Sequence, residues 1–456
     1  MKTSSFVKIL MLALAALVTC QAGFAQVSSH AVVPTAAPGT FRPYLWKVDA
    51  SAGPNLTMGP TYCNSNTFYG AGTFTFCPSG LQSVYGANSI PSGAGGKGVT
   101  IAIVDAYHYA YAASDLTTFN TAMGLPQLDN MGGDGQLTIV GCTNATSVNP
   151  PDYGVTCASP STGSANSGWE TEEMLDLEYA HAMAPYANIL MVEGYSAGLA
   201  NLFGAVYYAT SHADIVSDSW GAAEFSTVST YDTTFGQGIP ILFSSGDFGE
   251  YVGSTVTPQY PCSSPNVTCV GGTTLLPTGS PLRRSTETAW SCRAGDTHCA
   301  TYGGSGGGCS AYEALPFYQN VGAIGGGGAP TVCGSFRAVP DIAAIANPAT
   351  GAMIYDSGNG GYAQYGGTSL ACPVTAGLFA QIIAARTTFG QDYIPYFNPP
   401  IYAAALRSYP FFFWDVTSGT NGYSAGTGFD LVTGLGVSNA ADMANRFFGL
   451  IYHHLD

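Results

Sequence analysis

The sequence predicts an α/β fold built on a doubly wound, mostly parallel sheet with helices on both faces. Short apolar runs of strand length recur along the chain and alternate with stretches of helical periodicity. The predicted strands are 99–104, 189–192, 215–217 and 239–244, and the predicted helices are 170–184, 198–211 and 225–235. Strands without polar alternation are typical of a parallel sheet that is covered on both faces.

Composition divides the chain into three parts. Residues 1–25 combine two lysines, an apolar run and small residues, a pattern that predicts a secretory signal peptide. A lipid anchor on Cys20 is the alternative. Residues 26–75 are rich in Pro, Gly, Ser and Asn and predict an extended arm, and residues 76–450 predict one large domain. Within that domain, 250–335 is expected to be loop and hairpin.

The charge balance limits the classes of partner. Acidic residues outnumber basic residues 28 to 12, and only 9% of the chain is charged. So few cations disfavour nucleic acid as a partner, and no later apolar run reaches the roughly 20 residues that span a bilayer. A protein with few cations also avoids the self-repulsion that unfolds proteins in acid. We therefore expect a secreted, extracellular monomer.

Ten of the twelve cysteines form neighbouring couples along the chain. In an oxidising compartment such couples are expected to pair, although spacing does not fix the connectivity. The couples are Cys63/Cys77, Cys142/Cys157, Cys262/Cys269, Cys292/Cys299 and Cys309/Cys333. Cys372 is left over and is expected to be a buried free thiol. Zinc is not expected, because the chain has neither a Cys-x-x-Cys pair nor paired histidine spacing.

The candidate nucleophile is Ser369, the last residue of Gly-Gly-Thr-Ser at 366–369. A long apolar helical pattern follows, so this serine is predicted to lie at a helix N-terminus. Free N–H groups and positive potential at that end favour a developing oxyanion. Because the same pattern is typical of a simple helix cap, the serine needs catalytic partners to support the hypothesis.

The chain offers carboxylates rather than a histidine as the base. Asp105 ends the first predicted strand, where it could serve a Ser-His-Asp triad, but no histidine sits in a His-Gly-Thr turn. Glu172 and Asp176 lie four residues apart and therefore share one face of a predicted helix. Two carboxylates this close share a proton, so one of them can accept the serine proton in acid. A solvated acidic helix face is the alternative.

Four separated segments resemble the sedolisins, or serine-carboxyl peptidases, a family with a subtilisin-like fold. They are the Glu-x-x-x-Asp helix, 217–221 (Ser-Asp-Ser-Trp-Gly), 244–249 (Ser-Ser-Gly-Asp-Phe-Gly) and the Gly-Thr-Ser-x-x-x-Pro of 367–373. The resemblance covers roughly residues 78–440. It implies that Glu172 is the general base, Asp176 the carboxylate that orients it, Ser369 the nucleophile and a protonated Asp247 the donor to the oxyanion.

The same resemblance implies that Ser219, Trp220 and Gly221 line the substrate cleft. If the motifs are aligned differently, the nearest alternatives for the carboxylates are Glu170, Glu173 and Asp218. The implied function is a secreted, acid-active endopeptidase that hydrolyses proteins or peptides through an acyl-enzyme. An exopeptidase similar to tripeptidyl-peptidases and a catalytically silent peptide-binding protein are the alternatives. The short arm departs from the family, whose members carry a folded prodomain.

The resemblance also extends to a calcium site near the C-terminal end of the domain. It implies one Ca²⁺ bound by the side chains of Asp415 and Asp430 and by main-chain oxygens of Val416, Gly426 and Gly428. Hard oxygen ligands suit this ion, and glycines allow backbone carbonyls to turn inward. A metal-free loop held by Asx turns is the alternative.

Overall fold

The computed structural model describes residues 29–31, 40–48, 68–69, 73–90, 94–131, 135–158, 165–249, 258–278, 283–291, 303–391 and 393–444. The predicted signal peptide and most of the predicted arm lie outside the described residues. So do Cys63, Cys292 and Cys299, so the two couples that contain them stay predictions.

Strands account for much of the described chain. They are β1 (Ser29–Ala31), β2 (Arg42–Pro43), β3 (Trp46–Val48), β4 (Phe68–Tyr69), β5 (Thr73–Phe74), β6 (Thr100–Ala106), β7 (Leu137–Cys142), β8 (Cys157–Ala158), β9 (Asn188–Gly194), β10 (Ile215–Asp218) and β11 (Trp220–Ala223). The later strands are β12 (Ile241–Ser244), β13 (Gln259–Tyr260), β14 (Thr268–Thr278), β15 (Arg283–Ala289), β16 (Gly308–Ala314), β17 (Phe336–Val339), β18 (Ile342–Ile345), β19 (Ala352–Asp356), β20 (Gly361–Gly366), β21 (Phe413–Trp414) and β22 (Val437–Ser438).

Helices connect these strands. They are α1 (Pro78–Tyr85), α2 (Ala112–Met123), α3 (Ser167–Met183), α4 (Leu199–Thr210), α5 (Ala329–Cys333), α6 (Thr368–Thr388) and α7 (Asn398–Phe412). Short 3₁₀ turns add to them, of which Val228–Thr234 is the longest described. Helices α3 and α4 confirm the helices predicted at 170–184 and 198–211.

The main sheet confirms the predicted doubly wound α/β architecture. Its strand order is β21-β22-β18-β14-β12-β10-β6-β9-β7-β8, with β15 on β14. All neighbours from β22 to β7 pair in parallel. The chain runs from β6 outward to β7, returns to β9, and then continues on the other side of β6. This reversal is where α/β sheets open a crevice at the carboxyl ends of their strands.

Two hydrophobic cores lie on opposite faces of this sheet. In β6, Ile101 and Ile103 belong to the core that contains α3 and α6, whereas Ala102 and Val104 belong to the core that contains α4. Side chains alternate across a strand, so a fully buried strand serves both cores. The uninterrupted apolar run at 99–104 is therefore explained by the burial of this strand on both faces.

Two predictions of local structure were wrong. The stretch 225–235 forms only the 3₁₀ turn Val228–Thr234 rather than an α-helix. The Gly- and Thr-rich region before residue 335, predicted as loop and hairpin, contributes β14 to the middle of the sheet between β12 and β18. Glycine disfavours strands but threonine and valine favour them, and pairing on both sides holds this segment as a strand.

Three of the predicted disulfides form within the described residues. They join Cys142 to Cys157, Cys262 to Cys269 and Cys309 to Cys333. Cys372 is free and buried, as predicted. It lies in α6, whose length and apolar character would also suit a membrane span, but the apolar part of this helix is buried inside the protein.

A fully buried ion pair holds the turn between β17 and β18. The guanidinium of Arg337 donates two hydrogen bonds to Asp341, at 2.8 and 2.6 Å. The same carboxylate accepts the backbone N–H of Cys269 at 2.8 Å and the hydroxyl of Tyr402 at 2.9 Å. The pair therefore ties β14, β18 and α7 together.

Replacing Arg337 with leucine should destabilise the fold, because it leaves a buried carboxylate without its cation. We expect a loss of roughly 3–5 kcal/mol in the free energy of unfolding, measured by urea denaturation. Lys97→Leu, at an exposed lysine, is the matched control and should change stability by no more than about 0.5 kcal/mol. A loss for Arg337→Leu as small as that of the control would contradict the structural role of the pair.

Candidate active site

The carboxyl edge of the sheet gathers acidic side chains at one place. Asp105 lies near the end of β6, Asp218 ends β10, and Asp247 follows β12. Helix α3 crosses the same edge and brings Glu172 and Asp176 to it. All five carboxyl groups are buried.

Ser369 is the second residue of α6, as the sequence predicted. Its hydroxyl donates to the carbonyl oxygen of Ser219 at 3.2 Å and accepts the backbone N–H of Tyr44 at 3.1 Å. Its own backbone N–H donates to the carbonyl oxygen of Tyr44 at 3.2 Å. Ser369 therefore contacts the backbone of Tyr44 with both its hydroxyl and its amide.

Glu172 lies beside this serine. The Ser369 hydroxyl is among the groups that lower the pKa of Glu172, although burial and the charge of Asp105 raise that pKa further than the hydroxyl lowers it. Neither oxygen of Glu172 receives a well-formed hydrogen bond. A buried carboxylate next to a serine hydroxyl, with both oxygens unoccupied, is able to accept the serine proton after a rotation of the hydroxyl.

Asp176 is linked to the serine through Ser219. The hydroxyl of Ser219 donates to Asp176 at 2.8 Å, while the carbonyl of the same residue accepts from Ser369. Burial is the main cause that raises the pKa of Asp176, and the charges of Asp105 and Glu172 raise it further. Burial and the charges around them therefore favour the protonated forms of Glu172 and Asp176.

Asp247 lies on the other side of the serine. Its Oδ1 accepts the backbone N–H and the hydroxyl of Thr368, both at 2.8 Å. Within the described residues no well-formed hydrogen bond reaches its Oδ2, although the Trp46 side chain is near enough to lower the pKa of the group. Burial raises the pKa of Asp247 to about 7. In acid this carboxyl is protonated and can donate one hydrogen bond from its free oxygen.

Gly367 lets these groups approach one another. Its φ of +119° lies in the region that favours glycine, and an added Cβ would come within 2.0 Å of the Tyr44 carbonyl oxygen and 2.7 Å of Asp247 Oδ2. These two oxygens therefore lie on the same side of the glycine. The predicted oxyanion donor faces the carbonyl group that the Ser369 amide also contacts.

Residues 40–48, which we call the strap, run through the site as an extended chain. Strand β2 pairs antiparallel with β11, with Pro43 opposite Trp220 and Arg42 opposite Gly221. Strand β3 then pairs antiparallel with β20, the strand that leads directly into Gly367. The strap therefore adds a strand on each side of Ser369.

The strap is anchored by apolar side chains. Phe41, Tyr44, Leu45 and Trp46 are all buried. The ring of Phe41 lies 5.1 Å from that of Trp220, centroid to centroid, in an edge-on arrangement. Burial of aromatic groups of this size makes the strap part of the folded domain rather than a loose segment.

Two of the predicted cleft residues, Ser219 and Gly221, lie against the strap. Ser219 contacts it through its backbone, and Gly221 leaves space for it. The Ser219 carbonyl accepts the Tyr44 N–H at 3.3 Å. A Cβ on Gly221 would lie 2.5 Å from the Tyr44 hydroxyl. Trp220 pairs through its backbone, but its side chain is a core residue whose indole N–H donates to the Val104 carbonyl at 2.7 Å.

Within the described residues, the alternative carboxylates form no hydrogen bond to the nucleophile. Glu170 is partly exposed, and Glu173 is surrounded by Glu193 and Asp105. The Ser369 hydroxyl affects the pKa of neither. Asp218 is buried, and neither of its side-chain oxygens has a hydrogen-bond partner among the described residues.

Two described histidines lie close to the sheet but serve other groups. His108 contacts Glu193 at 2.8 Å. His181 lies inside α3, where its Nε2 contacts the carbonyl oxygen of Pro126 at 3.0 Å. Neither forms a hydrogen bond to Ser369 within the described residues.

Sequence reasoning missed three groups at the site, Thr368, Tyr44 and Gln259, and one role of a fourth, Ser219. Thr368, which holds Asp247, stands beside the nucleophile in its motif, so its position was a usable signal. Ser219 was predicted only as a cleft residue, and its link to Asp176 was not foreseen. Tyr44 and Gln259, which accepts the Tyr44 hydroxyl, carry no motif at all.

The predicted calcium ligands lie in one loop. Asp415 accepts the Gly428 N–H at 3.1 Å and the Tyr409 hydroxyl at 2.9 Å, and Asp430 accepts the Gly426 N–H at 2.9 Å. Burial raises the pKa of Asp430 to about 6. Within the described residues neither aspartate has an ion-pair partner. Two convergent carboxylates without a cation fit a calcium ion, while their backbone hydrogen bonds fit the Asx-turn alternative.

The fold and the site define the class of protein. A model of the subtilase family matches residues 143–396, and the chain belongs to that family. The resemblance to sedolisins is confirmed within it. The chain is 30% identical to sedolisin of Pseudomonas sp. (strain 101) over 80% of its length, and 31% identical to kumamolisin of Bacillus sp. (strain MN-32) over 77%.

A solved structure supports the same relationship. The complex of Pseudomonas sedolisin, a serine-carboxyl proteinase, with two molecules of pseudo-iodotyrostatin superposes with a TM-score of 0.66 at 29% identity. The match covers 82% of this chain and 98% of that one. The chain spans about 60% of the length of both sedolisin and kumamolisin as full proteins.

The buried carboxyl groups predict a fold that is more stable in acid than near neutrality. Burial raises the pKa of Asp247 to about 7 and that of Asp105 to about 8, both above the usual 3.8. Their stabilising contribution is complete below about pH 4 and is lost as the pH rises through these values. Asp247 alone contributes roughly 4 kcal/mol.

We therefore expect the melting temperature of the Ser369→Ala chain, which excludes self-digestion, to fall between pH 4 and pH 8. Adding Asp247→Asn should reduce this fall, because the amide keeps the Thr368 hydrogen bonds but does not titrate. A melting temperature that is constant or rises with pH would show that these carboxyl groups are ionised in the folded protein.

Proposed function

We propose that this chain is an acid-active serine-carboxyl endopeptidase whose nucleophile is Ser369. The observation that carries the proposal is the convergence of three groups on one peptide carbonyl. The Ser369 amide donates to the carbonyl oxygen of Tyr44, Asp247 Oδ2 lies beside that oxygen, and Glu172 lies beside the serine hydroxyl. A nucleophile, a base and an oxyanion donor around one carbonyl are the requirements of acyl transfer.

Each residue has one task in the proposed reaction. Glu172 takes the proton of the Ser369 hydroxyl as the oxygen attacks the substrate carbonyl, and later returns it to the leaving amine. Asp176 orients Glu172 and shares its proton. Ser219 holds Asp176 in place through a hydrogen bond. Protonated Asp247 and the Ser369 N–H stabilise the oxyanion, and water then hydrolyses the acyl-enzyme.

The cleft favours internal cleavage over the removal of short N-terminal peptides. Thr40 bridges to Gly198 and Phe41 lies against Trp220, so the cleft holds a chain well before the residue whose carbonyl meets Ser369. An enzyme that releases tripeptides needs a closed end in this part of the cleft. The substrates are therefore unfolded proteins or longer peptides.

The disulfides agree with secretion of the protein. The bridges Cys142–Cys157, Cys262–Cys269 and Cys309–Cys333 are typical of an oxidising compartment. We propose an extracellular enzyme that works in acidic surroundings.

Peptidase activity should depend on the proposed catalytic residues and on an acidic pH. Ser369→Ala and Glu172→Gln should each lower kcat/KM for denatured haemoglobin by about 10⁴-fold or more, whereas the control Glu170→Gln on the same helix should retain most activity. Wild-type activity should decline as the pH rises through about 7, because Asp247 then loses its proton.

The assay is hydrolysis from pH 3 to 8, with circular dichroism to verify folding. If wild type shows no hydrolysis at any pH, the silent peptide-binding protein becomes the better interpretation. Activity that survives Ser369→Ala would exclude Ser369 as the nucleophile.

We also infer that the loop around Asp430 binds one Ca²⁺. Asp415 and Asp430 would hold it with their carboxylates, and Val416, Gly426 and Gly428 would hold it with main-chain oxygens. The ion would act structurally by neutralising two carboxylates in the loop that ends before β22.

Chelation should therefore lower the melting temperature of the wild-type protein at pH 6–7, by several degrees. Asp430→Asn keeps an acceptor for the Gly426 N–H but loses the charge, so it should melt lower and no longer respond to chelator. The measurement is differential scanning calorimetry with EGTA or added calcium. Identical wild-type melts under both conditions would favour a loop held by Asx turns alone.

A further inference from the structure

We propose that His108 and Glu193 form an ion pair that determines which of the buried carboxyl groups around Glu172 is ionised, and that both are positioning residues of the peptidase. The proposal rests on the proposed peptidase function. It adds to the site two residues that lie outside its motifs, and it names the group that sets the charge state of the catalytic base.

The pair joins the surface of the protein to the buried edge of the sheet. Nδ1 of His108 lies 2.8 Å from both carboxyl oxygens of Glu193. The Glu193 side chain is fully buried, whereas 19% of the His108 side chain is exposed. A buried carboxylate is costly unless a cation lies against it, and an imidazole with protons on both nitrogens is such a cation. The imidazole therefore allows Glu193 to keep a negative charge.

The turn after β6 holds the imidazole beside β9. Tyr107 has a φ of +75°, in the left-handed region that a tyrosine rarely adopts, and its N–H donates to the Gly194 carbonyl at 2.8 Å. Its ring meets that of Trp169 edge-on, with 6.3 Å between the centroids. Backbone strain of this kind persists only where the surrounding contacts hold it, and it is concentrated at functional sites. The strained turn fixes the next residue, His108, in contact with Glu193.

Glu193 lies next to Asp105 in the sheet. The parallel pairing of β6 with β9 places these two residues opposite each other. Ile103 and Met191, two positions earlier in each strand, belong to the core that contains α3. Because side chains alternate across a strand, Asp105 and Glu193 point to this same face. Neither oxygen of Asp105 has a hydrogen-bond partner among the described residues, so the charge of Glu193 acts on a carboxyl group that nothing else holds ionised.

Two carboxyl groups respond to the charge of Glu193. They are Asp105 on β6 and Glu173 on α3. Burial is the main cause that raises the pKa of each, and the charge of Glu193 is the next cause for both. An ionised Glu193 therefore holds both neighbours in their protonated forms.

Glu170 is a second acidic group near the imidazole. It lies on α3, where burial and the charge of Asp356 raise its pKa and the charge of His108 lowers it. Glu170 is partly exposed, so water and salt screen its charge. Glu193, which is buried and in direct contact, is therefore the main partner of the imidazole.

The link from the pair to the catalytic base runs through Asp105. Burial is the main cause that raises the pKa of Glu172, and among the charges that act on it that of Asp105 ranks first. An ionised Asp105 would repel a charge on Glu172 and keep the base protonated, whereas a neutral Asp105 removes this repulsion. The charges therefore alternate, from a cation at His108 to an anion at Glu193, a neutral Asp105 and an ionised Glu172.

Three further carboxyl groups surround this series. The charge of Asp105 raises the pKa of Asp176 and of Asp218, after burial as the main cause. Asp247 acts on the base less strongly than Asp105 does, and the charge of Arg42 acts on Asp247. A cation therefore lies on each side of the cluster, with His108 on the side of Asp105.

The pair should set the acid limit of the proposed activity. While Glu193 is ionised, Asp105 stays protonated and Glu172 ionises at a lower pH. Without that charge, Asp105 or Glu173 ionises more readily, and Glu172 then needs a higher pH to act as a base. Loss of either member of the pair should move the acid limb of the activity profile upward.

The first test is the pH profile of kcat/KM for denatured haemoglobin. His108→Gln and Glu193→Gln should each move the acid limb upward by about half a pH unit or more. The double variant should move it no further than Glu193→Gln alone, because the two residues act as one unit. His212→Gln, at an exposed histidine that follows α4, is the matched control and should leave the profile unchanged.

A lysine at position 108 separates charge from structure. His108→Lys keeps a cation beside Glu193 and should move the acid limb less than the uncharged His108→Gln does. A pair that only fixes the turn at Tyr107 would lower the melting temperature of the variants and leave the acid limb at its wild-type position. An unmoved acid limb in His108→Gln and Glu193→Gln, or equal shifts for lysine and glutamine, would overturn the proposal.

A second measurement does not depend on hydrolysis. In the Ser369→Ala chain, the carboxyl ¹³C signals of Glu193 and Asp105, assigned with Glu193→Gln and Asp105→Asn, should show an ionised Glu193 beside a protonated Asp105 at pH 4.5. Adding His108→Gln should shift the Glu193 signal to that of a protonated carboxyl group. A protonated Glu193 in the presence of His108 would overturn the ion pair, whether or not the wild type cleaves haemoglobin. The expected signals without hydrolysis at any pH would support the pair and contradict only the peptidase function.

Discussion

The burial of carboxyl groups between α3 and the carboxyl edge of the sheet is the constraint on which the rest of this structure depends. Glu172, Glu173 and Asp176 point from the helix into a region that also holds Asp105 and Asp218. Within the described residues, none of these five forms an ion pair with a lysine or arginine. So many buried charges cannot coexist, and the groups must retain protons. The fold therefore requires protonated carboxyl groups, which the proposed chemistry also requires.

Most of the main sheet and its large helices could be predicted because their signals are local. Strand β6 and helix α4 are apolar over their whole length, and such runs indicate buried elements without knowledge of their neighbours. Strand β14 was missed for the opposite reason. Gly271 and Gly272 interrupt the strand signal of 268–270, and the segment forms a central strand because β12 and β18 offer hydrogen bonds on both sides.

The candidate site was predictable where its residues belong to short motifs. Glu172 and Asp176 are linked by helix spacing, and Ser369 and Asp247 stand in glycine-rich turns that resemble those of a known family. The placement of Tyr44 could not be predicted, because it lies 325 residues from Ser369 along the chain. No periodicity or turn signal in 40–48 indicates which groove such a segment will fill. Non-local pairing of this kind becomes visible only in three dimensions.

The chemistry of the strap explains how the cleft can be opened. Among its charged residues, Arg42 stacks on the ring of Phe248 at 4.0 Å. Its main anchors are apolar side chains, whose burial does not depend on ionisation. Opening the cleft to a substrate therefore requires these apolar side chains to leave their buried positions.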